Sequence, residues 1–128
     1  RVHFMRERPK RREEFHSACV FDKVVPACKA LIDMAEEKGI KVILLSARPA
    51  RFKPQTEEWL TKNNIHYDQL ILSHYPELSD PDYKLKMYRE LIEPFADVIF
   101  AVDDRDIVVQ MWRDNAITCL DIAGNHFS

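Results

Sequence analysis

Glycine is almost absent from this sequence: two occur in 128 residues. That excludes a Gly-rich linker, a low-complexity segment and any phosphate loop of the G-x-x-x-x-G-K-[ST] type. Cysteine is also sparse, and the three present (Cys19, Cys28, Cys119) form no C-x-x-C pair. An odd number without that spacing argues against a zinc site and a disulfide framework, and for reduced thiols in a cytoplasmic setting. No apolar run reaches the length of a membrane span, and no signal peptide is visible, so no membrane partner is expected. The formal charge of −2 carries no global signature of a nucleic-acid binder. A strong single-sign bias appears only at the front, where Arg1, Arg6, Arg8, Lys10, Arg11 and Arg12 face Glu7 alone. Such an arm can contact phosphates, or it is simply a solvated terminus.

What is present is an ordinary globular balance, with 46% hydrophobic and 31% charged residues. The length fits one domain with one core, spanning residues 1–128. Residues 1–15 are basic and polar with weak periodicity. From Asp22 to Lys38 the pattern is helical, with Val24, Cys28, Leu31 or Ile32, and Ala35 on one face, Asp22 as N-cap and Gly39 as the stop. Lys41–Leu45 reads as a short buried strand and 54–63 as a helix opened by Pro54. Leu70–Leu72 is a second short strand. Residues 82–93 form a helix with Leu85, Tyr88, and Leu91 or Ile92 on one side. The unbroken apolar run Val98–Val102 suits a strand covered on both faces. A helix follows to about Asp114, ended by Asn115 in a left-handed conformation, and Ile117–Ile122 is the last strand. Alternating strands and helices predict an α/β fold: a parallel, Rossmann-like sheet with helices on both faces.

In such sheets functional sites gather at the carboxyl ends of the strands. The strand ends here are Ser46-Ala47-Arg48, Ser73-His74, Asp103-Asp104-Arg105 and Ala123-Gly124-Asn125. Two adjacent carboxylates after a buried strand repel each other and are costly to desolvate, and a bound cation offsets both costs. Oxygen-only ligation suits Mg²⁺. The alternative is structural, with Asp104 capping the next helix and Asp103 pairing with Arg105. Ser46 can hold phosphate oxygens or serve as a turn serine, and Arg48 can make a bidentate phosphate contact or lie solvated. Lys84, at the start of the helix that leads into the acidic strand, can neutralise a phosphoryl group, with Asp80 orienting it. By spacing alone Lys86 is an equal candidate. Phe52, His74 and Tyr75 could stack on a nucleobase or simply pack.

The order of these parts resembles that of the HAD phosphohydrolase superfamily. The string A-V-D-D-R-D-I-V-V-Q-M-W-R over residues 101–113, then Ile117-Thr-Cys-Leu and Gly124-Asn-His-Phe127, resembles the end of the phosphatase domain of phage-type polynucleotide kinase–phosphatases. Leu44-Leu-Ser-Ala-Arg48 resembles that family's S-G-R element, with Ala47 in place of glycine, and Asp80-Pro-Asp-Tyr-Lys84 its D-x-x-x-K element. The resemblance covers most of residues 15–127. It implies a Mg²⁺-dependent phosphomonoesterase acting through an aspartyl-phosphate on a nucleic-acid 3′-phosphate end. Ser46 would bind the transferring phosphate, Lys84 neutralise it and Asp80 support Lys84. Arg48 and Arg1 would contact substrate, and Asp103 and Asp104 would hold the metal. An HAD nucleotidase acting on free nucleotides, or an inactive HAD binding module, is the alternative. Without a P-loop, kinase activity would belong to a fused or associated domain.

The family's first motif, D-x-D-G-T, supplies the attacking aspartate from the first, central strand of the sheet. No D-x-D lies near the start of this sequence, whose first aspartates are Asp22 and Asp33. The expectation is therefore an HAD-like sheet whose first strand is missing from residues 1–128, in a chain that continues upstream of Arg1.

Overall fold

The computed structural model describes residues 12–17 and 26–123. Five parallel strands form one sheet in the order β3-β2-β1-β4-β5. The strands are β1 (Arg12–Ser17), β2 (Lys41–Pro49), β3 (Gln69–Ser73), β4 (Ala96–Asp103) and β5 (Cys119–Asp121). The helices are α1 (Pro26–Glu37), α2 (Lys53–Lys62), α3 (Asp80–Met87) and α4 (Asp106–Asp114). None of the described helices is long and apolar enough to cross a membrane.

Successive residues of a strand point to opposite faces, and β2 shows the result. Val42 and Leu44 pack under α1 and α2 with Cys28, Ile32, Ala35 and Leu60. Ile43 and Leu45 pack under α3 and α4 with Tyr83, Met87, Val108, Val109 and Trp112. Each such side chain contributes about 1.5–3 kcal/mol of burial, so the apolar run through β2 commits the strand to a two-sided core.

The central position departs from expectation. Arg12–Ser17, which carries no strand-like pattern, lies between β2 and β4 and pairs with both. The central slot is thus filled rather than missing among the described residues. Backbone pairing supplies the reason: an empty slot would leave the inner edges of β2 and β4 without partners. The fit is irregular, with a register shift at Glu14/Phe15 against β4.

Other boundaries moved for local reasons. β2 runs on to Pro49 through a register shift against β3. α3 starts at Asp80, capped by the Ser79 hydroxyl, which accepts from the Asp82 N–H at 3.3 Å. It continues into one π turn, Tyr88–Ile92. That wider turn shifts the helical phase, so Ile92 is buried and Leu91 is exposed. Asn115 does not adopt the left-handed conformation; Ala116 does, at φ 63°. The Asn115 side chain is occupied instead, donating to the Met111 carbonyl and accepting from Arg89, both at 2.8 Å. Cys119 is a free, buried thiol, and Cys19 lies outside the described residues. The proposed Asp22 cap lies outside the described residues.

Candidate active site

β2 and β3 lie to one side of β1, and β4 and β5 to the other. The chain reverses direction across the sheet between β1 and β4, and the carboxyl ends of two such strands open a crevice. Ser17 pairs with Val102, so Asp103 is the next residue into that crevice.

Asp103 is 2% exposed and Lys84 4%. The Lys84 ammonium donates to Asp103 Oδ2 at 3.1 Å and lies 3.3 Å from Asp80 Oδ1. Asp80 and Lys84 are one helical turn apart on α3, which puts both side chains on one face. Asp103 Oδ1 accepts the backbone N–H of Asp104 at 2.9 Å and of Arg105 at 3.3 Å. Burial pushes the Asp103 carboxyl above its ordinary range, and the Lys84 charge and those two amides oppose the shift without cancelling it. The contact to Asp80 is an ion pair by distance, but it is not aligned as a hydrogen bond, and Asp80 Oδ1 has no hydrogen-bond partner among the described residues. Asp80 Oδ2 accepts from Arg105 Nη1 at 2.6 Å. A continuous charged chain, Asp103–Lys84–Asp80–Arg105, thus runs from the buried strand end to the surface.

The two candidate lysines are placed differently. Lys84 turns inward, while Lys86 pairs with Glu90 on the surface and lies over the Tyr75 ring. The arrangement also overturns both structural roles for the acidic pair. Arg105, not Asp104, is the N-cap residue of α4, and no side chain caps that helix. The Arg105 guanidinium binds Asp80, not Asp103. That contact links positions 25 apart, beyond any local periodicity, and the sequence reading missed it. The DDR string was its one signal.

Asp104 is exposed, and its carboxylate has no partner among the described residues. Asp103 and Asp104 are therefore the residues that could hold a cation. No cluster of three or more His, Cys, Asp or Glu side chains occurs among the described residues. Two carboxylates nevertheless suit Mg²⁺, which is commonly held by one or two together with waters and substrate phosphate.

Ser46 is buried inside β2, which runs on to Pro49, and its hydroxyl oxygen accepts from the Arg48 N–H at 3.0 Å. Its O–H remains able to donate to a phosphate oxygen. Ser73 makes the same turn contact with the Tyr75 N–H, so that geometry by itself does not single out Ser46. Ala47 has no positive φ, so this turn does not require glycine, and the departure from S-G-R carries no backbone strain. Arg48 is half-buried, and His74 is exposed. Tyr75 is half-buried against the core, whereas Phe52 is 37% exposed. Arg1 lies outside the described residues.

Residues 5–127 match the family model for the polynucleotide kinase PNKP phosphatase domain. The chain belongs to that family. Two solved structures share its fold. A chain of the Pnkp1/Rnl/Hen1 complex is 26% identical, with a TM-score of 0.81 over 88% of this chain and 46% of that one. A chain of the Pnkp1/Rnl/Hen1 RNA repair complex is 24% identical, with a TM-score of 0.82 over 94% of this chain and 45% of that one. This chain therefore spans less than half the length of either. Membership agrees with the sequence resemblance carried by Ser46, the Asp80–Lys84 element and the Asp103–Arg113 string.

Proposed function

We propose that this chain is the phosphatase module of a polynucleotide end-repair enzyme, removing a 3′-phosphate from a nucleic-acid end through an aspartyl-phosphate. The observation that carries the reading is the buried Asp103–Lys84–Asp80 set at the crevice of a chain belonging to this family. In this reading Ser46 and Arg48 hold the transferring phosphate. Lys84, fixed between two carboxylates, presents its charge to the phosphoryl group and stabilises the negative charge of the transition state. Asp80 keeps Lys84 in place, and Arg105 keeps Asp80 in place. Mg²⁺ held by Asp103 and Asp104 would neutralise phosphate charge.

The attacking carboxylate is the missing part. We place it in a D-x-D-G-T segment upstream of Arg1. That segment's strand would compete with Arg12–Ser17 for the central slot, and Arg-Glu-Glu-Phe-His-Ser is a polar occupant for a position usually filled by apolar residues. A kinase module, fused or associated, would accompany the domain in the complete enzyme.

The test is phosphate release from a 3′-phosphorylated oligonucleotide by protein expressed from the whole upstream reading frame, with Mg²⁺ and with EDTA. Release only with Mg²⁺ is expected. Release from free nucleotides alone would favour a nucleotidase, and no release from either substrate would favour an inactive binding module.

A further inference from the structure

The connection from β2 to α2 is a cationic, aromatic turn that the chemistry at Lys84 does not use. No acidic residue occurs between Glu37 and Glu57, whereas Arg48, Arg51 and Lys53 fall within six positions. Arg51, Phe52 and Lys53 are all exposed. Phe52 belongs to neither core cluster, and the residue is 37% exposed. The Arg51 guanidinium carbon stands 4.6 Å from the ring centroid. The turn is anchored rather than loose, because Thr56, which is buried, donates from its hydroxyl to the Phe52 carbonyl at 2.8 Å. Arg51 lies over the ring, and Phe52 keeps part of its surface open to solvent among cations.

Its position gives the ring a use. Ser46 to Pro49 is extended strand, so the turn begins about 10 Å beyond Ser46 along the carboxyl end of β2. The turn therefore adjoins the proposed phosphate position on the same strand. We infer that Arg51-Phe52-Lys53 is a subsite for the nucleotide next to the phosphorylated one. Its base stacks on Phe52, and its internucleotide phosphate pairs with Arg51 or Lys53. The inference rests on the 3′-phosphatase reading for its orientation. An aromatic ring accepts any base, since every base has a π-face, and the cations follow the backbone. The subsite therefore selects for a polynucleotide over a free nucleotide without selecting sequence.

Two measurements test this separately from the chemistry. Fluorescence anisotropy with a short labelled single-stranded oligonucleotide needs no turnover. Phe52→Ala should weaken binding about fivefold or more, the loss expected for one stacked base, while Phe52→Tyr retains it. Phe95→Ala, an exposed aromatic at the amino end of β4, should leave binding unchanged. Arg51→Ala should reduce the salt dependence by about one phosphate contact. In turnover, Phe52→Ala should raise the ratio of KM for the oligonucleotide to KM for a mononucleoside 3′-phosphate by a similar factor. Unchanged binding in Phe52→Ala, or equal loss in Phe95→Ala, overturns the subsite. Absence of turnover in the wild type would refute the phosphatase reading while leaving the binding result to decide the subsite.

Discussion

Replacing Lys84 with methionine probes the centre of the site without changing side-chain volume greatly. The Lys84 and Asp103 side chains are 5% and 2% exposed, so their ion pair lies out of solvent. An exposed pair would be worth about 0–1 kcal/mol. Removing one partner of a buried pair costs about 3–5 kcal/mol, because the remaining charge is left uncompensated. Asp103 keeps its two backbone donors, which points to the lower half of that range. Its carboxyl already sits above its ordinary range through burial, and losing Lys84 raises it further. A carboxyl raised in the folded state contributes stability that is present below its unfolded value, near 4, and lost as pH climbs through the folded value. The destabilisation should therefore be smallest in acid and grow as pH rises. With a urea slope of about 2 kcal/mol/M for a domain of this size, Lys84→Met should lower the midpoint at about pH 8 by about 1.5 M, in EDTA and with the slope unchanged. The double variant Lys84→Met/Asp103→Leu should recover most of that loss. A loss below about 1 kcal/mol at pH 8, or no pH dependence, would refute the buried pairing of Lys84 with Asp103.

Three further outcomes follow from other residues. Burial raises the Cys119 thiol to about 12, with Asp103 adding to the shift; alkylation of Cys119 near pH 8.5 should be negligible until urea unfolds the chain, and stability should fall as pH rises past the unfolded thiol value near 8.5. The Tyr83 hydroxyl is buried without a hydrogen-bond partner among the described residues, so Tyr83→Phe should be neutral or stabilising by up to about 1 kcal/mol, while Tyr83→Ala should cost about 3–5 kcal/mol in denaturant titration. Ala116 sits at φ 63°; relieving a left-handed alanine, at about 1–2 kcal/mol, against the entropy cost of glycine, at about 0.5–1, predicts that Ala116→Gly raises the melting temperature modestly.

The parts of the fold legible in the sequence were those where one local pattern decides the outcome. Val98–Val102 and Lys41–Leu45 read as strands because each carries an apolar run. Burial on both faces holds for Val42–Leu45. Ile99, in the middle of the β4 run, is 40% exposed, which corrects the expectation of a strand covered on both faces. Pro54 and Gly39 marked helix ends because their backbone preferences permit little else. Arg12–Ser17 was illegible for the opposite reason: its place depends on backbone pairing with β2 and β4, which no side-chain pattern announces. In the site, the sequence offered Asp80 four positions ahead of Lys84 but placed it before a helix starting at residue 82; the structure extends the helix to Asp80, where that spacing brings the two together. The inward choice of Lys84 over Lys86 needed the helix to be docked on the sheet. The Arg105–Asp80 contact needed β4 and α3 to be side by side. Ala116 took the conformation expected of Asn115 because the Asn115 side chain binds Arg89 and Met111, partners visible only after folding.

The most direct test of the account is phosphate release from a 3′-phosphorylated oligonucleotide by the protein with its upstream reading frame, comparing wild type with Asp103→Asn and Lys84→Met. The account predicts Mg²⁺-dependent release by the wild type and loss by at least a hundredfold in each variant, on the scale of removing a transition-state charge partner. Wild-type turnover retained in both variants would contradict it, as would a wild type that releases no phosphate with Mg²⁺ present.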